Sequence, residues 1–266
     1  MHHRPRCNGT PPLSPENSRA GTVASGRSSD SFTVPTMPRA LVFDFDGLIL
    51  DTETPLIDAF ADVHADHGLP FERDLFIRSV GHANYAFDPW RAFGADADRL
   101  ALEEQLTHHR RRRTLAQPIL PGVIALMDAA AAEGWPIALA SNSDHEHCEK
   151  HLGRLGLLPR FKALACRDDV KAPKPEPDLY RLALRHLGLR AHEAVAFEDS
   201  HTGSLAAKRA GLWCVVAPNP STAHHVFDHV DWRVGSLAEV SLATLLHRFA
   251  PHAAVRAAAS SSPKQG

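Results

Sequence analysis

Cysteine is scarce in this 266-residue chain, and the four present, Cys7, Cys148, Cys166 and Cys214, show no paired spacing. That argues against a disulfide framework or a spaced zinc motif and points to ordinary thiols in a reducing compartment, the cytoplasm. No uninterrupted apolar run reaches the length of a bilayer-spanning helix, so no membrane partner is expected. No charge of one sign predominates: 29 Lys and Arg stand against 31 Asp and Glu. A global attraction to nucleic acid is therefore not expected either. Residues 1–37 lack apolar periodicity and the apolar core of a secretory signal, and their Pro, Ser, Gly and Arg content predicts a disordered extension. An organellar transit peptide and an over-called start are the alternatives, since Met37 runs straight into an apolar segment. Residues 251–266 thin out into Ala, Ser and Pro and read as a flexible tail.

What is present is an ordinary globular composition, 44% hydrophobic and 23% charged, organised around Leu41-Val-Phe-Asp44-Phe-Asp46-Gly47. Ala40 to Phe45 reads as a strand buried on both faces. Two carboxylates at i and i+2 project to the same side of an extended chain. At the tip of a buried strand they are costly unless a cation or hydrogen bonds satisfy them. A divalent metal, a nucleophile, or both would explain them.

Periodicity predicts helices over 54–67, 72–80 and 96–117, with a short one over 89–93 and no strand among them. From Pro118 onward the pattern alternates. Strands over 136–140, 161–166, 194–197 and 212–217 are interleaved with helices over 123–134, 144–155, 175–187, 202–210 and 237–249. Such alternation implies right-handed crossovers and a doubly wound, Rossmann-like parallel α/β sheet. The domains expected are a discontinuous core, 38–53 with 118–250, and an inserted helical cap, 54–117.

Three of these strands end in polar clusters: Asp44-x-Asp46, Ser141-Asn142 and Glu198-Asp199. A parallel sheet places its strand tips on one edge, so the clusters should converge there. Lys174, in Lys171-Ala-Pro-Lys174-Pro-Glu-Pro-Asp178, is expected at the entrance of the next helix, with Pro175 in its first turn. Gathered carboxylates must protonate or bind cations, and all-oxygen ligation favours Mg²⁺. A lysine would add charge for a phosphate.

In this order the motifs resemble the four signatures of the haloacid dehalogenase superfamily. The run Asp46-Gly-Leu-Ile-Leu-Asp51-Thr-Glu53 with its helical insertion resembles the β-phosphoglucomutase-like, small helical-cap phosphatases. The resemblance implies a Mg²⁺-dependent hydrolysis of a small phosphorylated metabolite through an aspartyl-phosphate. Asp44 would then be the nucleophile, and Asp46 the proton donor and acceptor, its acidity weakened by neighbouring carboxylates. Asp44, Asp46 through its carbonyl, and Asp199 would hold the metal, with Glu198 nearby. Ser141, Asn142 and Lys174 would bind phosphate; Lys171 competes with Lys174. His82 and Asn84 of the cap would meet the leaving group.

A phosphosugar mutase is the alternative enzyme, although Thr54-Pro-Leu56 lacks the linker histidine of mutases and no Arg or Lys closely follows Gly81. A non-catalytic regulatory relative is the alternative outside enzymes. The run Arg110–Arg113 reads as solvated surface. His145 is placed beside the substrate, and His147 with His151 as a pair lacking a third metal ligand. A monomer or weak homodimer is expected.

Overall fold

The computed structural model describes residues 37–79 and 87–249. The expected extension and tail, with His82 and Asn84, lie outside them apart from Met37. The centre is β1 (Ala40–Phe43), every residue of which is buried. It pairs in parallel with β2 (Ile137–Ala140) on one side and β4 (Ala194–Glu198) on the other. Adding β3 (Ala163–Ala165), β5 (Trp213–Val216) and β6 (Trp232–Arg233) gives a six-stranded sheet of order β3-β2-β1-β4-β5-β6. The strand order reverses direction at β1, so a crevice for ligands opens beyond its C-terminal end.

Strand alternation sorts residues by size. Leu41, Phe43, Ile137, Leu139, Val195 and Phe197 face one layer, which contains α4 (Val123–Ala132), α5 (His145–Arg154) and α8 (242–249). Ala40, Val42, Ala138, Ala140, Ala194 and Ala196 face the other, against α6 (Asp178–Leu187) and α7 (His201–Ala210). Small side chains on that face let α6 and α7 approach the sheet closely.

The insertion forms α1 (Glu53–Asp66), α2 (Arg73–Ser79) and α3 (Arg99–Ala116). These helices bury a separate apolar cluster around Ile57, Phe60, Val63, Trp90, Leu102 and Leu106. Leu100, within the expected 96–117 helix, stays outside that cluster and is 85% exposed. Arg113 corrects the solvated-run expectation: it grips both Asp62 oxygens of α1 at 2.7 Å.

Other boundaries shift for local reasons. The predicted 237–249 helix splits into a 3-10 turn, Leu237–Glu239, and α8, because the Ser241 hydroxyl accepts the Thr244 N–H and starts a new helix. Strand β6 is two residues long, Trp232 and Arg233, too short for any periodicity to reveal. No described helix is long and apolar enough to cross a membrane.

Candidate active site

The chain leaves β1 at Asp44, whose N–H still donates to Phe197 O of β4 at 3.0 Å. It turns at Gly47, where φ is +76°. A Cβ there would lie 2.5 Å from both Asn219 Nδ2 and Asp199 Oδ2, so only glycine passes. The turn leaves Asp44 and Asp46 on one cavity of about 210 Å³, which Ser141, Asn142, Lys174 and Asp199 also line.

Lys174 corrects one expectation. Helix α6 starts at Asp178, so Lys174 and Pro175 belong to the preceding loop, joined by a cis peptide. Asn142 holds that loop: its Nδ2 donates to Lys174 O at 3.3 Å and its Oδ1 accepts Lys174 N at 2.9 Å. The buried ammonium then donates to Asp44 Oδ1 and Glu198 Oε1, both at 2.6 Å. Glu198 lies behind the cavity, fully buried. Its Oε1 also accepts Tyr180 OH at 2.5 Å, and its Oε2 accepts Ser200 Oγ at 3.3 Å. Gly203 makes room for it, since a Cβ on α7 would sit about 2.1 Å from that carboxylate.

Oxygens of Asp44, Glu198 and Asp199 all lie within 4.8 Å of one another. Three buried carboxylates thus face one lysine. Burial pushes the Asp44 carboxyl up to about 8, against the pull of Lys174 and with added repulsion from Glu198 and Asp46. Asp199 is likewise raised by burial and by Asp44 and Glu198. Lys174 is held above its ordinary range because the two carboxylates outweigh its burial. The donor set is all oxygen and carries surplus negative charge, which suits a hard divalent cation.

Asp46 departs from expectation. Burial pushes its carboxyl up, but hydrogen bonds outweigh this and hold it below the usual range. Ser143 Oγ donates to Oδ2 at 2.6 Å, and His147 Nε2 lies 3.1 Å from Oδ1. His147 is therefore a partner of Asp46 rather than half of an idle histidine pair. His145 is not beside the cavity; its ring lies between Glu149 and Asp169.

Sequence reasoning missed Tyr180, Asn219, Ser143 and His147. Asn219 follows β5, and its Nδ2 donates to Asp199 Oδ2 at 2.7 Å. Strand-tip reasoning applied to that strand would have found it. Tyr180 offered a weaker signal, a hydroxyl on the apolar face of α6.

Comparison with known proteins gives matching results. The family model described as haloacid dehalogenase-like hydrolase matches residues 38–211. YhcW of Bacillus subtilis, a suspected phosphatase by its name, is 40% identical over 214 residues, 79% of this chain and 97% of its own. Hexitol phosphatase B of Escherichia coli is 31% identical over 80% of this chain and 99% of its own. Among solved structures, a mutant of CbbY from Rhodobacter sphaeroides in complex with xylulose-(1,5)bisphosphate superposes with a TM-score of 0.61 at 29% identity. That match covers 79% of this chain and 99% of the CbbY chain.

Proposed function

From its membership of the haloacid dehalogenase-like hydrolase family, and as a phosphatase acting on phosphorylated compounds, we propose that this protein hydrolyses small sugar phosphates with Mg²⁺ through an aspartyl-phosphate. The observation that carries the proposal is the buried Asp44–Lys174–Glu198 chain, with Asp199 beside it on one cavity. Mg²⁺ would be held by the carboxylates of Asp44 and Asp199 and the carbonyl of Asp46, and would supply positive charge to the phosphoryl oxygens.

The chain's own residues divide the work. Lys174 neutralises Asp44 and the incoming phosphate, so that one anion can approach another. An Asp44 oxygen attacks phosphorus, the bond to the substrate oxygen breaks, and that oxygen takes a proton from Asp46, whose low-lying carboxyl must first gain one as the phosphate dianion arrives beside it. Asp46 then takes a proton from water, whose oxygen attacks phosphorus and breaks the Asp44–phosphorus bond. Inorganic phosphate leaves and both acids are regenerated. Ser141 and Asn142 present polar groups to the phosphoryl oxygens, and Asn142 also fixes the Lys174 loop. Helices α1 to α3, with their own apolar cluster, form the cap that closes over the cavity and selects the leaving group.

The test is a phosphate-release screen of sugar phosphates, nucleotides and phosphoglycolate, with Mg²⁺ and with EDTA. Turnover of sugar phosphates that EDTA abolishes and Asp44→Asn removes is expected. Equal rates in wild type and Asp44→Asn would overturn the mechanism. With β-glucose 1-phosphate and a bisphosphate primer, inorganic phosphate should accumulate rather than glucose 6-phosphate.

A further inference from the structure

Away from the catalytic cavity, His145, Cys166 and Asp169 converge. His145 opens α5, Cys166 follows the last residue of β3, and Asp169 ends the 3-10 turn Arg167–Asp169. One ligand atom from each lies within 4.8 Å of the other two. His145 Nε2 is 2.9 Å from Asp169 Oδ2, and that oxygen also accepts the Cys166 N–H at 2.8 Å. We propose that these three side chains form a second metal site, selective for zinc, whose fourth position is left to water.

Ligand type supports this choice. Imidazole nitrogen, thiolate sulfur and carboxylate oxygen are the donors zinc takes, whereas Mg²⁺ avoids sulfur. Tetrahedral zinc, with bonds of about 2.0–2.3 Å, sets its ligand atoms roughly 3.3–3.8 Å apart. The cluster needs only a small adjustment, and it can be made at the surface, since the His145 and Asp169 side chains are about one-third exposed.

The outer partners are an independent observation. His145 Nδ1 lies 3.1 Å from Glu149 Oε1, one turn further along α5. A ligating histidine characteristically gives its other ring N–H to a carboxylate in this way, which orients the ring. Binding displaces the thiol proton of Cys166, while His145 ligates through its Nε2 lone pair. The metal would tie the end of β3 to the start of α5, the helix that carries His147 to Asp46. Its ligands come from separated segments, so the lack of paired cysteine spacing does not bear on it.

The experiment titrates the full chain with Co²⁺ in excess Mg²⁺ and follows the thiolate-to-cobalt charge-transfer absorption, then adds Zn²⁺. One equivalent of cobalt giving a band that Zn²⁺ bleaches is expected. Cys166→Ser should abolish the band, and His145→Ala should weaken binding tenfold or more, with far-UV circular dichroism confirming that both fold. Cys148→Ser and Asp199→Asn should keep it. Absence of the band, its survival in Cys166→Ser, or its loss in Asp199→Asn or Cys148→Ser alone would overturn the proposal.

Discussion

Both carboxylate oxygens of Asp46 are held from α5 and the loop before it, by Ser143 and His147. A proton-transfer group must be oriented as well as present, so removing one of the two contacts should cost rate without removing the acid. His147→Leu is expected to lower kcat about tenfold, less than the 10²–10⁴ that a general acid–base can contribute. The loss should be larger for a sugar phosphate, whose alkoxide needs a proton, than for p-nitrophenyl phosphate, whose leaving group does not. Steady-state kinetics on the two substrates checks this; equal losses would assign His147 a purely structural role. Tyr180 works on the same principle one step further back. Its hydroxyl satisfies Glu198, and Lys174 lies 5.2 Å from the centre of its ring.

Helix α5 carries a third histidine, after His145 and His147, with a different role. His151 is buried under α5 near Phe45, with no partner for Nδ1. Burial pushes its pKa down to about 4, with His147 and Arg154 adding repulsion. The folded chain therefore keeps His151 neutral where the unfolded chain already binds a proton. Stability should fall as pH drops from about 6.5 to about 4 and receive no further contribution below that. The full loss from this group is at most about 3.4 kcal/mol. Urea unfolding at several pH values should show a shallower acid slope for His151→Leu than for wild type. The sheet's two faces belong to the same scale. The alanines of β2 and β4 facing α6 and α7 are as specific a packing code as the large residues opposite, though they carry no hydrophobic signal of their own.

For the molecule as a whole, the charge imbalance around Asp44, Glu198 and Asp199 is the feature that couples stability to ligands. A cation that binds the folded chain alone stabilises it by about 2.7 kcal/mol at a hundred times its Kd. Mg²⁺ should therefore raise Tm. Asp199→Asn should abolish that rise while increasing Tm in EDTA, since it removes one of three mutually repelling acids. Differential scanning calorimetry with and without Mg²⁺ separates the two effects; an unchanged Mg²⁺ response in Asp199→Asn would remove that residue from the metal site.

The parallel sheet, its helical insertion and the meeting of Asp44, Asp46, Ser141, Asn142, Lys174 and Asp199 were legible from the chain. Each depends on short-range patterns: apolar runs of strand length, polar residues at their ends, and the rule that parallel strands share an edge. The pairings that tune those residues were not legible. His147 reaches Asp46 across 101 positions, and which oxygen it meets depends on how α5 packs on the sheet. Asn219 reaches Asp199 because β5 lies next to β4. The low-lying Asp46 and the His145–Cys166–Asp169 cluster arise in the same way. Protonation and ligation depend on distances of a few ångströms between segments remote in sequence, and only the packed whole sets such distances.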